Sequence, residues 1–563
     1  MKAEDLPAPQ LRGGRPNLVL AGFSGTGKTV AGERAAAILE MPFFDLDRLA
    51  EVRLGKPIAD VFAGDGEAAF RAVERELLRQ ASRLSGAVIA TGGGAVLHPE
   101  MATLAAPACS VPLSAGLEQI LARLGGAGDR PMLRSDPRRR TAGLLEERRA
   151  AYAALGDWLP TDGRPVEEVA RELARRYQQH RSKAGSTPLQ VELAQGAYPI
   201  HVVEGEEEMQ GLLLASLPPK SRVLIVTDAA APVAASGADA AAWLCAQGRQ
   251  ASAISVERGE ASKRVEVLQR LWDHFQAVEL DRGDCVVAMG GGAALDAAGF
   301  AAASWARGVP WLTLPTTLLA MVDAAIGGKV AIDHPLAKNA IGAFHHPLAV
   351  ISQVTFLKTL EPEICRDGLG EVVKSSALAS PLLLDRLGEE PATGSSLPTQ
   401  LPWLVRETAR IKAAYVAEDP EDHGVRQSLN LGHTYAHCLE VATDYRLSHG
   451  RAVALGLLAS AALGRELGLT PQELPGRLES ALGAAGLLQA PPQIDRELVE
   501  AAWGSDKKRR GGVAAVLCPT GEGAQLVRGL DRDVALAPLW AQLEGLGAAV
   551  PSGPAPIEAG ASK

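Results

Sequence analysis

Cys285–Phe300 reads CVVAMGGGAALDAAGF. Five apolar residues are too few for a helix of their own, three glycines then allow a sharp change of direction, and an alanine-rich run follows that favours helix. The same order of strand, turn and helix recurs at Arg222–Ala230, RVLIVTDAA. Units of this kind build a doubly wound α/β domain whose ligand lies beyond the carboxyl ends of the strands. No GxGxxG fingerprint is present. Gly290, Gly291 and Gly292 can nevertheless set their N–H groups against a pyrophosphate, with Asp228 placed to accept ribose hydroxyls; a tight turn is the alternative for an isolated GGG.

Downstream, Pro315–Phe344 reads PTTLLAMVDAAIGGKVAIDHPLAKNAIGAF. Thr316, Thr317, Asp323, Lys329, Lys338 and Asn339 stand there among small apolar residues, too many polar groups for a core strand. Lysines beside hydroxyl, carboxylate and amide groups form a donor-rich pocket suited to a phosphorylated polyol and a dinucleotide.

Leu429–His449, LNLGHTYAHCLEVATDYRLSH, sets three imidazoles in an apolar run. His433 and His437 are four apart and share a helix face, while His449 follows a segment able to fold back. Glu371, in GLGEVVKSSAL, is the nearest plausible carboxylate, and Lys374 lies one turn further along. Glu and His ligands with one open position suit Zn²⁺ as a Lewis acid. Thr434 occupies the place of the general-base Glu in HExxH, which excludes that protease class.

Nearer the start, Asn17–Ala21 (NLVLA) is a buried-type strand running into GFSGTGKT, Gly22 to Thr29, with helix-forming AGERAAAILE after it. This is a P-loop in its expected setting: Gly22, Gly25 and Gly27 let backbone N–H groups face phosphate, Lys28 reaches the β- and γ-phosphates, and Thr29 ligates Mg²⁺. Asp45 and Asp47 end a second strand beside it, one for Mg²⁺ or its water and one for a substrate hydroxyl. Arg71, the glycines Gly92, Gly93 and Gly94, Arg130 in GAGDRPML and Arg148 complete a set fit for a small carboxylated ring and a transferring phosphate.

The chain has 563 residues, enough for three or four domains, and a net charge of −9, which argues against a general nucleic-acid surface. Six cysteines without a CxxC pair indicate neither a disulfide framework nor a thiolate zinc site. The start, MKAEDLPAPQ, lacks a signal-peptide pattern and no apolar run is long enough for a membrane span, so a cytoplasmic protein without a membrane partner is expected.

By these motifs, about Asn17 to Tyr177 resembles the shikimate kinases. The resemblance implies Mg²⁺ with ATP, Asp45 on the metal, Asp47 on the substrate hydroxyls, Arg71 and Arg148 on the carboxylate, and Arg130 in the lid; Arg149 is the other candidate of the doublet. A gluconate-type kinase, or a P-loop regulator that transfers no phosphate, is the alternative.

About Leu189 to Leu546 closely resembles 3-dehydroquinate synthase. That resemblance implies NAD and Zn²⁺ (or Co²⁺), with Glu371, His433 and His449 as ligands and His437 reassigned to the substrate. It further places Asp323, Lys329, Lys374, Lys412, Arg426, Asn430 and Lys508 around the substrate, with Arg307 at its phosphate, from the same subunit or from its neighbour in a homodimer. Asp228, Glu260, Lys263, Gly291, Gly292, Asp296, Thr316, Thr317, Lys338 and Asn339 match positions at NAD. Arg451 and Gly370 depart from the family's usual acid and alanine.

The expected organisation is a P-loop domain over residues 1–179 and a linker at 180–188, then a Rossmann-like NAD domain at 189–355, a mainly helical metal and substrate domain at 356–548, and a disordered tail at 549–563. The expected activities are phosphorylation of shikimate and conversion of 3-deoxy-D-arabino-heptulosonate 7-phosphate to 3-dehydroquinate; a zinc polyol dehydrogenase is the alternative for the second.

Overall fold

Residues 2–124, 136–184, 189–335, 337–389, 400–509 and 515–548 are described by the computed structural model. They form two compact units: Gly13–Thr187 is one, and Met1–Arg12 joins Pro188–Lys563 in the other. The first strand, β1 (Lys2–Pro7), therefore lies outside the unit that follows it in the chain.

In the Gly13–Thr187 unit, β2 (Leu18–Ala21), β3 (Phe43–Asp45), β4 (Val88–Ala90), β5 (Cys109–Ser114) and β6 (Leu159–Pro160) form a parallel sheet in the order β3-β4-β2-β5-β6. β2 is buried along its whole length because helices cover both faces of such a sheet. Parallel pairing brings the carboxyl ends of β2, β3 and β4 to one edge, where the P-loop, Asp45 and Gly92–Gly94 gather.

In the second unit, β7 (Leu189–Leu193) and β8 (Gly196–Val203) make an antiparallel hairpin at one edge of a seven-stranded sheet. The rest is parallel: β9 (Val223–Asp228), β10 (Ala251–Val256), β11 (Cys285–Gly290), β12 (Trp311–Pro315) and, after the separate hairpin β13 (Lys329–His334) and β14 (Ala337–Phe344), β15 (Val350–Gln353). The order is β10-β9-β11-β12-β15-β8-β7. Beyond β15 the chain is mostly helical up to β16 (Ala515–Pro519) and β17 (Gly523–Arg528), which form a three-stranded sheet in the order β1-β17-β16.

Two boundary expectations are corrected, and the mainly helical expectation for 356–548 holds with two strands added. Residues 1–12 go with the carboxyl-terminal unit because β1 pairs antiparallel with β17 and buries Leu6 there. The helix Val166–Ala184 runs into the expected linker, since polar residues suit an exposed helix as well as a loop. The mainly helical part also contains the strands β16 and β17. The tail expected at 549–563 and Arg130 lie outside the described residues.

Candidate active sites

In the amino-terminal unit, Gly22, Gly25 and Gly27 all hold positive φ (144°, 83° and 89°), giving the loop its turn ahead of the helix Lys28–Leu39. Lys28 Nζ donates to the carbonyls of Gly22 (2.8 Å) and Phe23 (3.1 Å), so the ammonium lies over the loop that would hold phosphate. Thr29 Oγ1 donates to Asp45 Oδ2 at 2.5 Å, which joins the two groups expected at Mg²⁺. Asp45 also caps the next helix by accepting from the N–H of Asp47 at 3.0 Å, and so fixes where Asp47 points.

Asp45, Asp47, Arg71, Gly93, Gly94 and Arg148 line a cleft of about 750 Å³. Arg148 is buried, donates to the Gly93 carbonyl at 2.8 Å and lies over the Phe23 ring, whereas Arg149 is exposed and pairs with Glu146. Only the first of the doublet therefore faces the cleft. Sequence reasoning missed Glu74. It is buried, reaches Arg71 Nη1 at 2.5 Å and His98 Nε2 at 2.9 Å, and its only signal is its place one turn after Arg71. A Cβ at Gly92 would crowd both Glu74 and Asp47, so a small residue there leaves room for the carboxylates.

In the second unit, Glu371 comes from the helix Pro362–Ala379, His433 begins the helix His433–Ala442 and His449 begins His449–Glu466. One ligand atom from each lies within 4.8 Å of the others. Glu371 Oε1 is 3.4 Å from Nε2 of both His433 and His449. The opposite ring nitrogens are held: His433 Nδ1 lies 3.2 Å from the Leu431 carbonyl and His449 Nδ1 3.0 Å from Glu440 Oε1. That frees both Nε2 atoms toward the carboxylate, as metal-ligating imidazoles require. Glu371 is 1 % exposed and, among the described residues, the ion pair with Lys374 is the one close polar contact on its oxygens besides the two imidazoles. A buried carboxylate between two aimed imidazoles fits a divalent cation.

Charge in the cluster points the same way. Burial and the Lys374 ammonium hold the His433 imidazole below its ordinary value, against the pull of Glu371. Burial also opposes charge on His449, but Glu371 and Glu440 outweigh it and raise that imidazole to about 10. A cation bound at Nε2 of His449 would have to displace a proton from that imidazole.

Gly370 and Gly450, next in the chain to Glu371 and His449, are where the helices carrying those two residues touch: a Cβ on Gly370 would lie 2.6 Å from the Gly450 carbonyl oxygen. The departure at 370 therefore permits this close approach. Arg451 donates to the carbonyls of Gln489 and Ala490, directed away from the ligands. His437 is exposed and sits edge-on to His433 at 5.6 Å between ring centroids, outside the ligand group.

Lys412 Nζ donates to the carbonyl and carboxylate of Asp323, both at 2.6 Å. Burial works against that carboxylate's charge, yet Lys412 holds it below the usual range. Arg426 donates to the carbonyls of Gly327 (3.0 Å) and Pro420 (2.6 Å), Lys329 pairs with Asp422, and Asn430 donates to the Gln427 carbonyl. Lys508 falls in the helix Arg496–Arg509.

At the strand ends, Thr316 N–H donates to the Gly290 carbonyl, and Thr317 Oγ1 accepts from Ala320. Gly291 and Gly292 open the helix Gly292–Ser304, which carries Asp296, while Asp228 ends β9. Lys263 bridges Asp296 (2.7 Å) and Asn339; Lys338 lies 3.5 Å from Glu260 and 3.9 Å over the Tyr445 ring. Arg307 is exposed in a tight turn where it and Ala306 both hold positive φ. Among the described residues no helix is long and apolar enough to cross a membrane.

Comparison with known proteins identifies the families to which the two units are related. Residues 24–178 match the family described as shikimate kinase, residues 253–367 the 3-dehydroquinate synthase N-terminal family and residues 368–509 its C-terminal counterpart. A 3-dehydroquinate synthase of Symbiobacterium thermophilum is 39% identical over 349 residues, covering 60% of this chain and 95% of that protein. A 2-epi-valiolone synthase of Actinosynnema mirum is 37% identical over 339 residues, 59% of this chain and 87% of that protein. The 2-epi-5-epi-valiolone synthase ValA of Streptomyces hygroscopicus subsp. jinggangensis 5008, solved with NAD⁺ and Zn²⁺ bound, superposes with a TM-score of 0.56 at 27% identity, over 62% of this chain and 97% of that one. The chain belongs to the 3-dehydroquinate synthase family, with a shikimate kinase domain placed near its amino terminus, and is a bifunctional shikimate-pathway enzyme.

Proposed function

We propose that the carboxyl-terminal unit converts 3-deoxy-D-arabino-heptulosonate 7-phosphate to 3-dehydroquinate with release of phosphate, and that the amino-terminal unit transfers phosphate from ATP to shikimate. The observation that carries the first is the buried Glu371 carboxylate set between His433 and His449, with Lys374 paired to it.

Glu371, His433 and His449 would hold Zn²⁺ or Co²⁺, which when bound polarises a substrate oxygen. Asp228, Glu260, Lys263, Gly291, Gly292, Asp296, Thr316, Thr317, Lys338 and Asn339 would hold NAD, which takes a hydride from the substrate and returns it. Lys374 sets a cation next to the ring oxygens. Asp323 keeps Lys412 directed at the same pocket, and Lys329, Arg426, Asn430 and Lys508 supply donors for the carboxylate, hydroxyls and leaving phosphate. His437, exposed one turn from His433, is within reach of substrate protons.

In the kinase unit, Thr29 and Asp45 would hold Mg²⁺, which arrives with ATP and neutralises phosphate charge. Arg71 and Arg148 fork the shikimate carboxylate across the cleft from Asp47, which accepts the hydroxyl proton, while Lys28 turns from its own loop's carbonyls onto phosphate and Arg130 supplies a further cation for it.

A homodimer through the synthase unit is the proposed assembly. β14 is exposed along most of its length, including Ile341 and Phe344, an apolar edge that pairing would cover, and the strained turn at Arg307 is exposed for use by a neighbour. Six cysteines kept as thiols suit the reducing cytoplasm.

The test is one purified sample assayed for both reactions. Phosphate release from the heptulosonate phosphate with no net NADH is expected, as is ATP-dependent phosphorylation of shikimate but not gluconate. Steady NADH accumulation would establish a polyol dehydrogenase instead, and preference for a heptulose 7-phosphate lacking the carboxylate would establish a valiolone-type cyclase. Asp47→Ala should abolish shikimate turnover while nucleotide binding persists; retained turnover overturns the kinase assignment.

A further inference from the structure

β17, at the centre of the three-stranded sheet, has β16 on one side and on the other the first residues of the chain. The antiparallel register with β1 runs from Lys2 opposite Arg528 to Pro7 opposite Gly523, and Ala8 N–H extends it by donating to the Glu522 carbonyl at 3.1 Å. Leu6 is 4% exposed and stands opposite Ala524, which is fully buried. Gly523 holds φ +111°, and a Cβ there would lie 2.7 Å from Ala8 N and 2.9 Å from the Pro7 carbonyl carbon. That position accommodates this particular strand: without β1 its backbone would face nothing, and β17 would present an unpaired edge.

The sheet backs the synthase site. β1 and β17 both pack on the short helix Val425–Asn430, and β17 also packs on the helix Pro362–Ala379. The first of these carries Arg426 and Asn430, the second Glu371 and Lys374. Arg426 is buried, its guanidinium fixed by the Gly327 and Pro420 carbonyls and its backbone N–H by Asp419 at 3.1 Å, so small shifts of the segment redirect a cation with little freedom of its own.

We propose that Lys2–Pro7 is a positioning element for the synthase reaction, holding Val425–Asn430 where Arg426 and Asn430 meet the anionic substrate. This rests on the substrate roles given above to Arg426 and Asn430. The strand precedes the whole kinase unit in the chain, so the synthase site is completed by residues more than four hundred positions away from it.

The test compares the full chain with a deletion of residues 2–7 and with Leu6→Ala, both saturated with NAD and Zn²⁺. The expected result is a rise of at least fivefold in KM for the heptulosonate phosphate, with kcat less affected and faster hydrogen exchange at 425–430. Kinase kcat/KM should stay within twofold, and Leu6→Met should restore the synthase KM. Should the deletion fail to fold, Leu6→Ala is read by the same criteria. A synthase KM within twofold of the full chain, or a loss confined to kcat or Tm, overturns the proposal. Arg426→Ala measured alongside separates the two readings: a raised KM there with unchanged strand variants sinks only the strand's role, whereas an unchanged KM in Arg426→Ala sinks the site assignment itself.

Discussion

Glu440 Oε1 lies 3.0 Å from Nδ1 of His449, so this imidazole joins two carboxylates and can present only Nε2 to Glu371. A carboxylate behind a metal-ligating imidazole fixes its tautomer and raises its basicity. Glu440→Gln is expected to weaken zinc binding roughly 10- to 100-fold, read by competition against a chelator of known affinity. An unchanged zinc affinity would show that Glu440 does not orient His449.

Zinc removal should separate the two activities. Dialysis against a strong zinc chelator, followed by excess Mg²⁺, is expected to abolish phosphate release from the heptulosonate phosphate while ATP-dependent shikimate phosphorylation continues. Added Zn²⁺ restores the first, because Glu371, His433 and His449 belong to a different unit from Thr29 and Asp45. Synthase turnover in a verified metal-free sample contradicts the metal assignment.

Arg148 and Arg149 are adjacent but differently placed, the first buried in the kinase cleft and the second exposed beside Glu146. Hydrogen bonds to a charged group contribute about 1.5–3 kcal/mol, so Arg148→Ala should raise the shikimate KM by roughly 10- to 100-fold. Arg149→Ala should leave it within twofold. Steady-state kinetics of the two variants decides between them.

Burial lifts the Asp296 carboxyl to about 6, even though Lys263 lies 2.7 Å away and pulls it the other way. An acid raised in the folded state binds more protons there than in the unfolded chain between about pH 4 and pH 6, so stability falls as pH rises through that window. The ionised carboxylate then costs about 3 kcal/mol at neutral pH in the NAD-free protein. Denaturant unfolding of the synthase unit should show this slope in the parent and lose it in Asp296→Asn; equal slopes would place the titration elsewhere.

Much of both candidate sites was readable because the relevant signals are local. The P-loop needs only its glycines, Lys28 and Thr29 in order after NLVLA, and the zinc cluster announces itself as imidazoles in an apolar run. Local spacing also misled. His433 and His437 at i and i+4 read as a ligand pair, but His433 starts its helix and takes His449 as its neighbour, leaving His437 exposed. Glu74, Glu440 and Asp422 were not legible as partners, since a carboxylate's role is set by what tertiary folding brings against it. β1 was invisible for the same reason: KAEDLP carries only one strongly apolar side chain, Leu6, and its strand partner lies more than five hundred residues away.

Because β1 is hydrogen-bonded into the far unit, the kinase is an insertion rather than an appendage. A protease nick between Ala184 and Leu189 would leave it fastened through its other end, and a gene truncated to begin at Leu189 would yield a synthase missing one of its own strands. Anyone separating the two catalysts has to graft the opening dozen residues back or to accept a permuted chain.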